Sequence, residues 1–283
     1  MTASARNIGG FIIASRVPNL LIIGYTQFAT GYFLLGQREG SLQINFVLFL
    51  ISTALISAGG YIINDYFDQK VDMINKPDKV VVGTALRRRL ALAGHLLLTI
   101  SGIVLGFLLD PLIGAIHSFS SISLWMYSGY LKRIVLIDTL LISFLTSLSM
   151  LMIMVYFRDF KLIVVAYALF GFVTIFIRES IKDIVSAKGE RIFGLESVAT
   201  SWGVRGAKWL ILICCVGGVV GLIYYLLRVP NQMIRYLFVC LFPIVIYAMW
   251  LLQKADKVAD FKKIRSVLDI IIFIGLGSIC FLT

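Results

Sequence analysis

An all-α, polytopic membrane fold is what this sequence predicts, and three observations predict it. The chain is 59% hydrophobic and only 14% charged over its 283 residues, against roughly 25% charged in an average soluble domain, and its mean hydropathy is +0.94. Several apolar runs approach the roughly 20 residues that cross a bilayer as a helix. Those runs are continuous and lack the two-residue alternation of barrel strands, so helices are the spanning element that fits. No low-complexity segment or long linker interrupts them, and the chain reads as one integral-membrane domain over residues 1–283.

The apolar runs predict nine transmembrane helices in a bundle, near residues 18–36, 44–64, 90–109, 112–130, 135–157, 162–180, 207–227, 236–252 and 266–282. Ahead of the first, residues 8–14 are too short for a cleavable signal and are followed at once by Arg16 and Pro18. The second ends where Asn64 and Asp65 begin. A tight turn at Asp110-Pro111 separates the third from the fourth, and His95 and His117 inside them read as packed, hydrogen-bonded histidines. Cys214, Cys215, Cys240 and Cys280 all fall within spans and imply neither a metal site nor a disulfide framework. Gly59-Gly60 and Gly217-Gly218 read as close-packing positions.

Charge orients the bundle. With nine spans, all but five of the 26 Lys and Arg residues fall on one side, the exceptions being Arg38, Arg158, Lys161, Arg228 and Arg235. By the positive-inside rule the N-terminus and the long loops are cytoplasmic and the C-terminus is outside. The net charge of +11 is then a topology signal, with basic loops such as Arg87-Arg88-Arg89 lying against anionic lipid. A nucleic-acid partner is not called for.

Three carboxylates follow directly on the second apolar run. Asn64, Asp68 and Asp72 stand at i, i+4 and i+8 with Asp65 beside them, so a continuing helix gathers all four on one stripe. Like charges at that spacing destabilise a bare helix, and a cation that neutralises them is the natural complement. Hard oxygen donors with no His or Cys nearby point to Mg²⁺. An echo follows span six, where Glu179, Asp183, Ser186 and Glu190 recur along one helical face. Four spans separate the two motifs, so a four-helix unit used twice would bring both acidic motifs to the same, cytoplasmic face. Two acidic stripes with basic residues between them would suit a metal-bridged polyphosphate.

These motifs resemble the UbiA superfamily of intramembrane prenyltransferases. Asn64, Asp65, Asp68 and Asp72 after a second span look like its first acidic motif, and Asn75-Lys76-Pro77 like its usual continuation. Tyr127 to Leu131-Lys132-Arg133 resembles its basic loop after span four. Arg178 to Glu190, followed by Phe193-Gly194-Leu195, resembles its second acidic motif, and Arg16, Pro18 and Asn19 its amino-terminal signature. The resemblance implies an enzyme that transfers a prenyl group from a prenyl diphosphate to a lipophilic acceptor within the lipid bilayer, with Mg²⁺ as cofactor. It implies metal ligation by Asn64, Asp65, Asp68, Asp72, Asp183 and Glu190, with Glu179 a further candidate. Lys132 and Arg178 are implied at the diphosphate with Arg133 behind them, Tyr127 near the reacting centre, and Arg16 and Asn19 on the N-terminal side.

The sequence departs from the family pattern at Ser186, where many members carry Asp, at Glu190, where Asp is usual, and at Lys188, where an acid is common. Asp138-Thr139 stands where a Gly-Asn pair is frequent. The form of the second motif resembles the branch that alkylates glycerol-phosphate lipids, and the chlorophyll synthases, more than the hydroxybenzoate enzymes. The expected reaction is therefore transfer of geranylgeranyl from geranylgeranyl diphosphate to geranylgeranylglycerol phosphate, forming an ether lipid. The alternative is an aromatic acceptor of the hydroxybenzoate or dihydroxynaphthoate type, for a quinone. A secondary transporter also uses repeats and acidic groups, but here the acids cluster at one boundary and the span interiors are nearly free of charge.

Overall fold

The structure, a computed structural model, describes residues 3–228 and 232–281, with side chains described over residues 6–224 and 241–281. Cys240, Arg228 and Arg235 lie outside the described side chains. The described backbone is helical almost throughout. In order come α1 (Ala3–Ala14), α2 (Val17–Ala29, extended by a π turn at Thr30–Leu34), α3 (Arg38–Ser41), α4 (Ile44–Asn75), α5 (Arg88–Leu109), α6 (Pro111–Gly129) and α7 (Ile137–Phe157). After these follow α8 (Leu162–Ile192), α9 (Val198–Ser201), α10 (Gly203–Arg228), α11 (Gln232–Lys254) and α12 (Val258–Ser278). Among the described residues an isolated bridge between Val82 and Leu86 takes the place of any strand.

Among the described residues six helices, α4, α5, α7, α8, α10 and α12, are long and apolar enough to cross a membrane, and α1 with α2 makes a seventh if the 41° bend between them is counted as one broken span. The chain is thus a multi-pass membrane protein. Helix α6 occupies the predicted fourth span but lies outside that set, because His117, Ser118, Ser120, Ser121, Ser123 and Ser128 dilute its apolar residues. Helix α11 is apolar over Leu241–Lys254.

Helices α4 and α8 are much longer than the apolar runs that start them. At 1.5 Å per residue, the 32 residues of α4 and the 31 of α8 span about 45–48 Å, against a hydrocarbon core of about 30 Å. Each therefore carries about three turns beyond what a bilayer needs. Those extra turns hold the two acidic motifs.

The chain divides into two compact units. The first runs from α1 to Lys132, apart from residues 33–36, and takes in residues 152–159. Helix α4 is its centre, with α1, α2, α5 and α6 packed on it. A side chain at Gly59 would meet Thr99 of α5 at 2.6 Å, and one at Gly60 would meet Leu124 of α6 at 2.7 Å, so bare backbone here lets both neighbours close in. Both histidines are satisfied and buried: His95 Nδ1 lies 2.9 Å from the Gly59 carbonyl and His117 Nε2 lies 2.9 Å from Ser52 Oγ. Ala14, Ile62, Val82, Leu86 and Ala91 form a small core that ties the loop after α4 beneath α1. Arg6 donates to the Thr84 carbonyl at 2.6 Å, and the Arg87 N–H donates to Asn7 Oδ1 at 3.2 Å. Asp110 caps α6 at the predicted tight turn, and the Leu112 N–H, helped by Arg158, holds its carboxyl below the ordinary aspartate range.

The second unit holds residues 33–36, most of α7, and everything from α8 onward. Its core is built by Ile177, Ile181 and Ile184 of α8 against Val198 and Ala199 of α9, Ile211 of α10, and Phe261, Ile264 and Leu268 of α12. Ser147 donates to the Ala168 carbonyl at 2.7 Å and joins α7 to α8, and Tyr167 pairs with Ser278 at 2.6 Å. Of the second glycine pair, Gly218 approaches Val173 at 3.1 Å, whereas Gly217 has nothing within 4 Å.

Candidate functional site

Within the first unit, the stripe predicted on α4 is present as a continuous helical face bearing Asn64, Asp65, Asp68 and Asp72, all half-buried. Two cations reach it. Arg16 Nη2 donates to Asp65 Oδ1 at 2.7 Å, and its guanidinium stands 4.9 Å from the Tyr61 ring centre. Lys132 Nζ forms an ion pair with Asp68, and lies 5.5 Å from the ring centre of buried Tyr127. These contacts offset the repulsion that three carboxylates on one helical face would otherwise generate. Among the described residues, neither Asn64 nor Asp72 has a side-chain hydrogen bond or ion pair. Asn19 is exposed on the first turns of α2.

Arg16 sits at the break between α1 and α2 with φ 51°, a left-handed conformation that costs a residue with a Cβ roughly 1–2 kcal/mol. A partly exposed ion pair offsets about 0.2–1 kcal/mol, and a cation–π contact about 0.5–1 kcal/mol. Together the two contacts are of the size of the strain. The local sequence also favours the break, since Pro18 lies in the first turn of α2, where its missing N–H costs nothing.

The second unit places Arg133, Arg178, Asp183 and Glu190. Arg133 is exposed. Arg178 Nε donates to Asp269 Oδ1 of α12 at 2.9 Å, and Nη1 lies 3.5 Å from Glu179. Glu179 is buried and also pairs with Lys182. Asp183 is 2% exposed, and Thr139 Oγ1 donates toward its carboxylate at 3.2 Å. The same hydroxyl lies 3.1 Å from Asp138 Oδ1, which also accepts from the Thr139 N–H at 2.7 Å. Buried Glu190 accepts from Ser186 on one oxygen and from Ser197 at 2.8 Å on the other.

Five of these partners lie outside the predicted site: Asp138, Thr139, Lys182, Ser197 and Asp269. For Asp138 and Thr139 a signal existed, because that pair is where the chain departs from the Gly-Asn pattern. Asp269 is an isolated acid at the start of an apolar run, a position that asks for a cationic partner. Nothing local marks Ser197. Ser186 stands where an acid is common, and its hydroxyl serves the neighbouring Glu190 instead.

The donor set fits a hard divalent cation, since carboxylate and amide oxygens dominate and neither sulfur nor imidazole stands on the stripe. In this structure the carboxylates of Asp65 and Asp68 are turned toward Arg16 and Lys132. Among the described residues no three His, Cys, Asp or Glu side chains are gathered closely enough to hold a metal ion.

Comparison with known proteins agrees over nearly the whole chain. The digeranylgeranylglyceryl phosphate synthase of Methanobrevibacter smithii is 28% identical over 258 residues, which is 85% of this chain and 90% of that one. The synthase of the same name from Saccharolobus solfataricus is 29% identical over 247 residues, 83% of this chain and 85% of that one. A solved structure of a digeranylgeranylglyceryl phosphate synthase in membranes superposes with a TM-score of 0.76 at 23% identity, covering 97% of each chain. A UbiA homologue from Archaeoglobus fulgidus, solved with GPP and Mg²⁺, superposes with a TM-score of 0.69 at 13% identity, covering 96% of this chain and 99% of that one. At those identities the solved structures speak to the fold. The profile of the UbiA prenyltransferase family matches residues 26–274, a stretch that runs from α2 into α12 and takes in both acidic motifs. The chain belongs to the UbiA prenyltransferase family.

Proposed function

We propose that this prenyltransferase moves a geranylgeranyl group from geranylgeranyl diphosphate to the hydroxyl of geranylgeranylglycerol phosphate, and that it works as one membrane-embedded catalytic domain. The observation that carries the chemistry is the α4 stripe: three carboxylates and an amide on one face, with Arg16 and Lys132 already docked on two of the carboxylates. The choice of acceptor rests on the names of the relatives, which are digeranylgeranylglyceryl phosphate synthases over most of their length.

Asn64, Asp65, Asp68 and Asp72 would hold Mg²⁺ on α4, and Asp183 and Glu190 would form a second set on α8. When bound, Mg²⁺ offsets the charge of the diphosphate and stabilises its departure. The protein's own groups do the rest. Lys132 would contact diphosphate oxygens at the α4 stripe, with Arg16 and Asn19 assisting from the N-terminal side, and Arg178 would do so at the α8 set with Arg133 behind it. As the C1–O bond breaks, these cations receive the developing negative charge. Tyr127, held beneath the Lys132 ammonium, orients groups near C1. The helix bundle keeps bulk water from the allylic cation, so the acceptor oxygen attacks C1, an ether bond forms, and a proton and diphosphate are released.

The proposed topology has nine spans, made of the six long apolar helices, the bent α1–α2 pair, α6 and α11. The N-terminus and both acidic motifs face the cytoplasm and the C-terminus lies outside, as the asymmetry of Lys and Arg requires. The experiment is a transfer assay with the purified protein in lipid, geranylgeranyl diphosphate and Mg²⁺, offering geranylgeranylglycerol phosphate, 4-hydroxybenzoate and dihydroxynaphthoate separately. A diether product from the first acceptor is expected. Product from an aromatic acceptor alone would overturn the acceptor and leave the metal chemistry standing.

A further inference from the structure

Three contacts within the first unit tie α6 to α4 in a single register. His117 Nε2 of α6 lies 2.9 Å from Ser52 Oγ of α4, an offset of 65 residues. A side chain at Gly60 would meet Leu124 at 2.7 Å, and the Lys132 ammonium pairs with Asp68, each at an offset of 64. All three pairs rise together along the chain, so the two helices run parallel. Helix α6 continues without a break from His117 to Gly129, three residues short of Lys132. The pairing inside the bundle is therefore in phase with the ion pair at the acidic stripe.

We infer that His117 is a positioning residue whose hydrogen bond to Ser52 sets the register of α6 on α4 and so delivers Lys132 to the stripe. The inference rests on the prenyltransferase reading above and adds to it the group that aims Lys132. The direction of the bond follows from the serine. Its hydroxyl has one proton, which it donates to the Phe49 carbonyl at 2.7 Å, so Ser52 Oγ accepts from the His117 Nε2–H. Ser52 has no solvent exposure and His117 is 2% exposed, so water does not stand in for either partner.

The bond selects one register because Ser52 has no polar neighbour a turn away on its face. A slip of one turn, about 5.4 Å, would set the imidazole against Leu48 and Phe49 or against Leu55 and Ile56. None of these side chains accepts a hydrogen bond, and an N–H left unsatisfied within hydrocarbon is costly. Leu124 over Gly60 allows close approach, but an apolar contact is non-directional. A single buried polar pair in an apolar seam fixes coiled-coil register in the same way. At the stripe, the same slip would move Lys132 to Asp72 or to Asp65, where Arg16 already stands. His95 supplies the contrast: it is equally buried and its Nδ1 lies 2.9 Å from the Gly59 carbonyl, but it belongs to α5 and stands outside the α4–α6 row.

The test is calorimetric binding of a non-hydrolysable geranylgeranyl diphosphate analogue, with Mg²⁺, to the full-length protein in lipid nanodiscs. His117→Leu and Ser52→Ala should each weaken binding at least fivefold. His117→Gln, whose amide can donate where the Nε2–H did, should stay within twofold of the wild type. His95→Leu should lower the thermal midpoint and leave binding within twofold. In a Lys132→Met background, His117→Leu should add less than twofold, because the group it aims is gone. Ser52→Ala removes a single oxygen and decides the matter if His117→Leu does not fold. Unchanged binding in folded His117→Leu or Ser52→Ala, an equal loss in His95→Leu, or an undiminished loss in the Lys132→Met background overturns the inference and leaves prenyl transfer intact. No binding by the wild type overturns the prenyltransferase reading, and this inference with it.

Discussion

The hydroxyl of Thr139 has one proton and two buried carboxylates within reach, Asp183 at 3.2 Å and Asp138 at 3.1 Å. It can donate to only one of them at a time. Without the hydroxyl, buried Asp183 loses this donor while Asp138 keeps the Thr139 N–H at 2.7 Å, and an unsatisfied buried acceptor costs roughly 1–3 kcal/mol. We expect Thr139→Val to weaken Mg²⁺ activation at least tenfold, read as the metal concentration for half-maximal transfer, while Thr139→Ser restores it. An unchanged metal requirement in folded Thr139→Val would remove Thr139 from the positioning of Asp183. The sequence placed Asp68 at a metal ion and Lys132 at a diphosphate, and did not anticipate the ion pair between them. The partners of Arg178 and Asp183 were not anticipated either, because Asp269 and Thr139 lie 91 and 44 residues away in sequence and only the packing of α7, α8 and α12 brings them in. Charge pairing between distant helices leaves no periodic trace.

At the scale of helices, periodicity and length carried most of the information. The apolar runs at 44–64 and 162–180 located α4 and α8, and the facing spacings of Asn64, Asp68 and Asp72 on the first and of Glu179, Asp183, Ser186 and Glu190 on the second pointed to both helices continuing beyond those runs. They do, to Asn75 and Ile192. What hydropathy could not supply was the break at Ser15-Arg16, where one left-handed residue bends the chain, and the status of α6, whose serines make it a poor span by composition. Small residues were readable in part. Gly59 meets Thr99 closely and Gly217 meets nothing, although the two pairs look alike as sequence. Gly59→Leu should therefore overpack the α4–α5 contact, at a cost of about 1–3 kcal/mol, and lower the thermal midpoint of the protein in detergent. Gly217→Leu should leave that midpoint near the wild-type value. Equal effects at the two positions would contradict the close approach of α5 to α4.

For the whole molecule, composition and the sidedness of Lys and Arg made the membrane class legible, and the shared fold with UbiA structures over 96–97% of the chain accords with it. The acceptor is less legible, because a hydroxyl or an aromatic carbon can be alkylated at the same diphosphate machinery. The central claim is that the α4 stripe is where a prenyl diphosphate is held through Mg²⁺. The most direct measurement is calorimetric binding of a non-hydrolysable geranylgeranyl diphosphate analogue to the protein in lipid nanodiscs, with Mg²⁺, with EDTA, and with Asp68→Ala in Mg²⁺. The account predicts binding in Mg²⁺ that EDTA abolishes and that Asp68→Ala weakens at least tenfold. Binding of equal strength in all three conditions would contradict it.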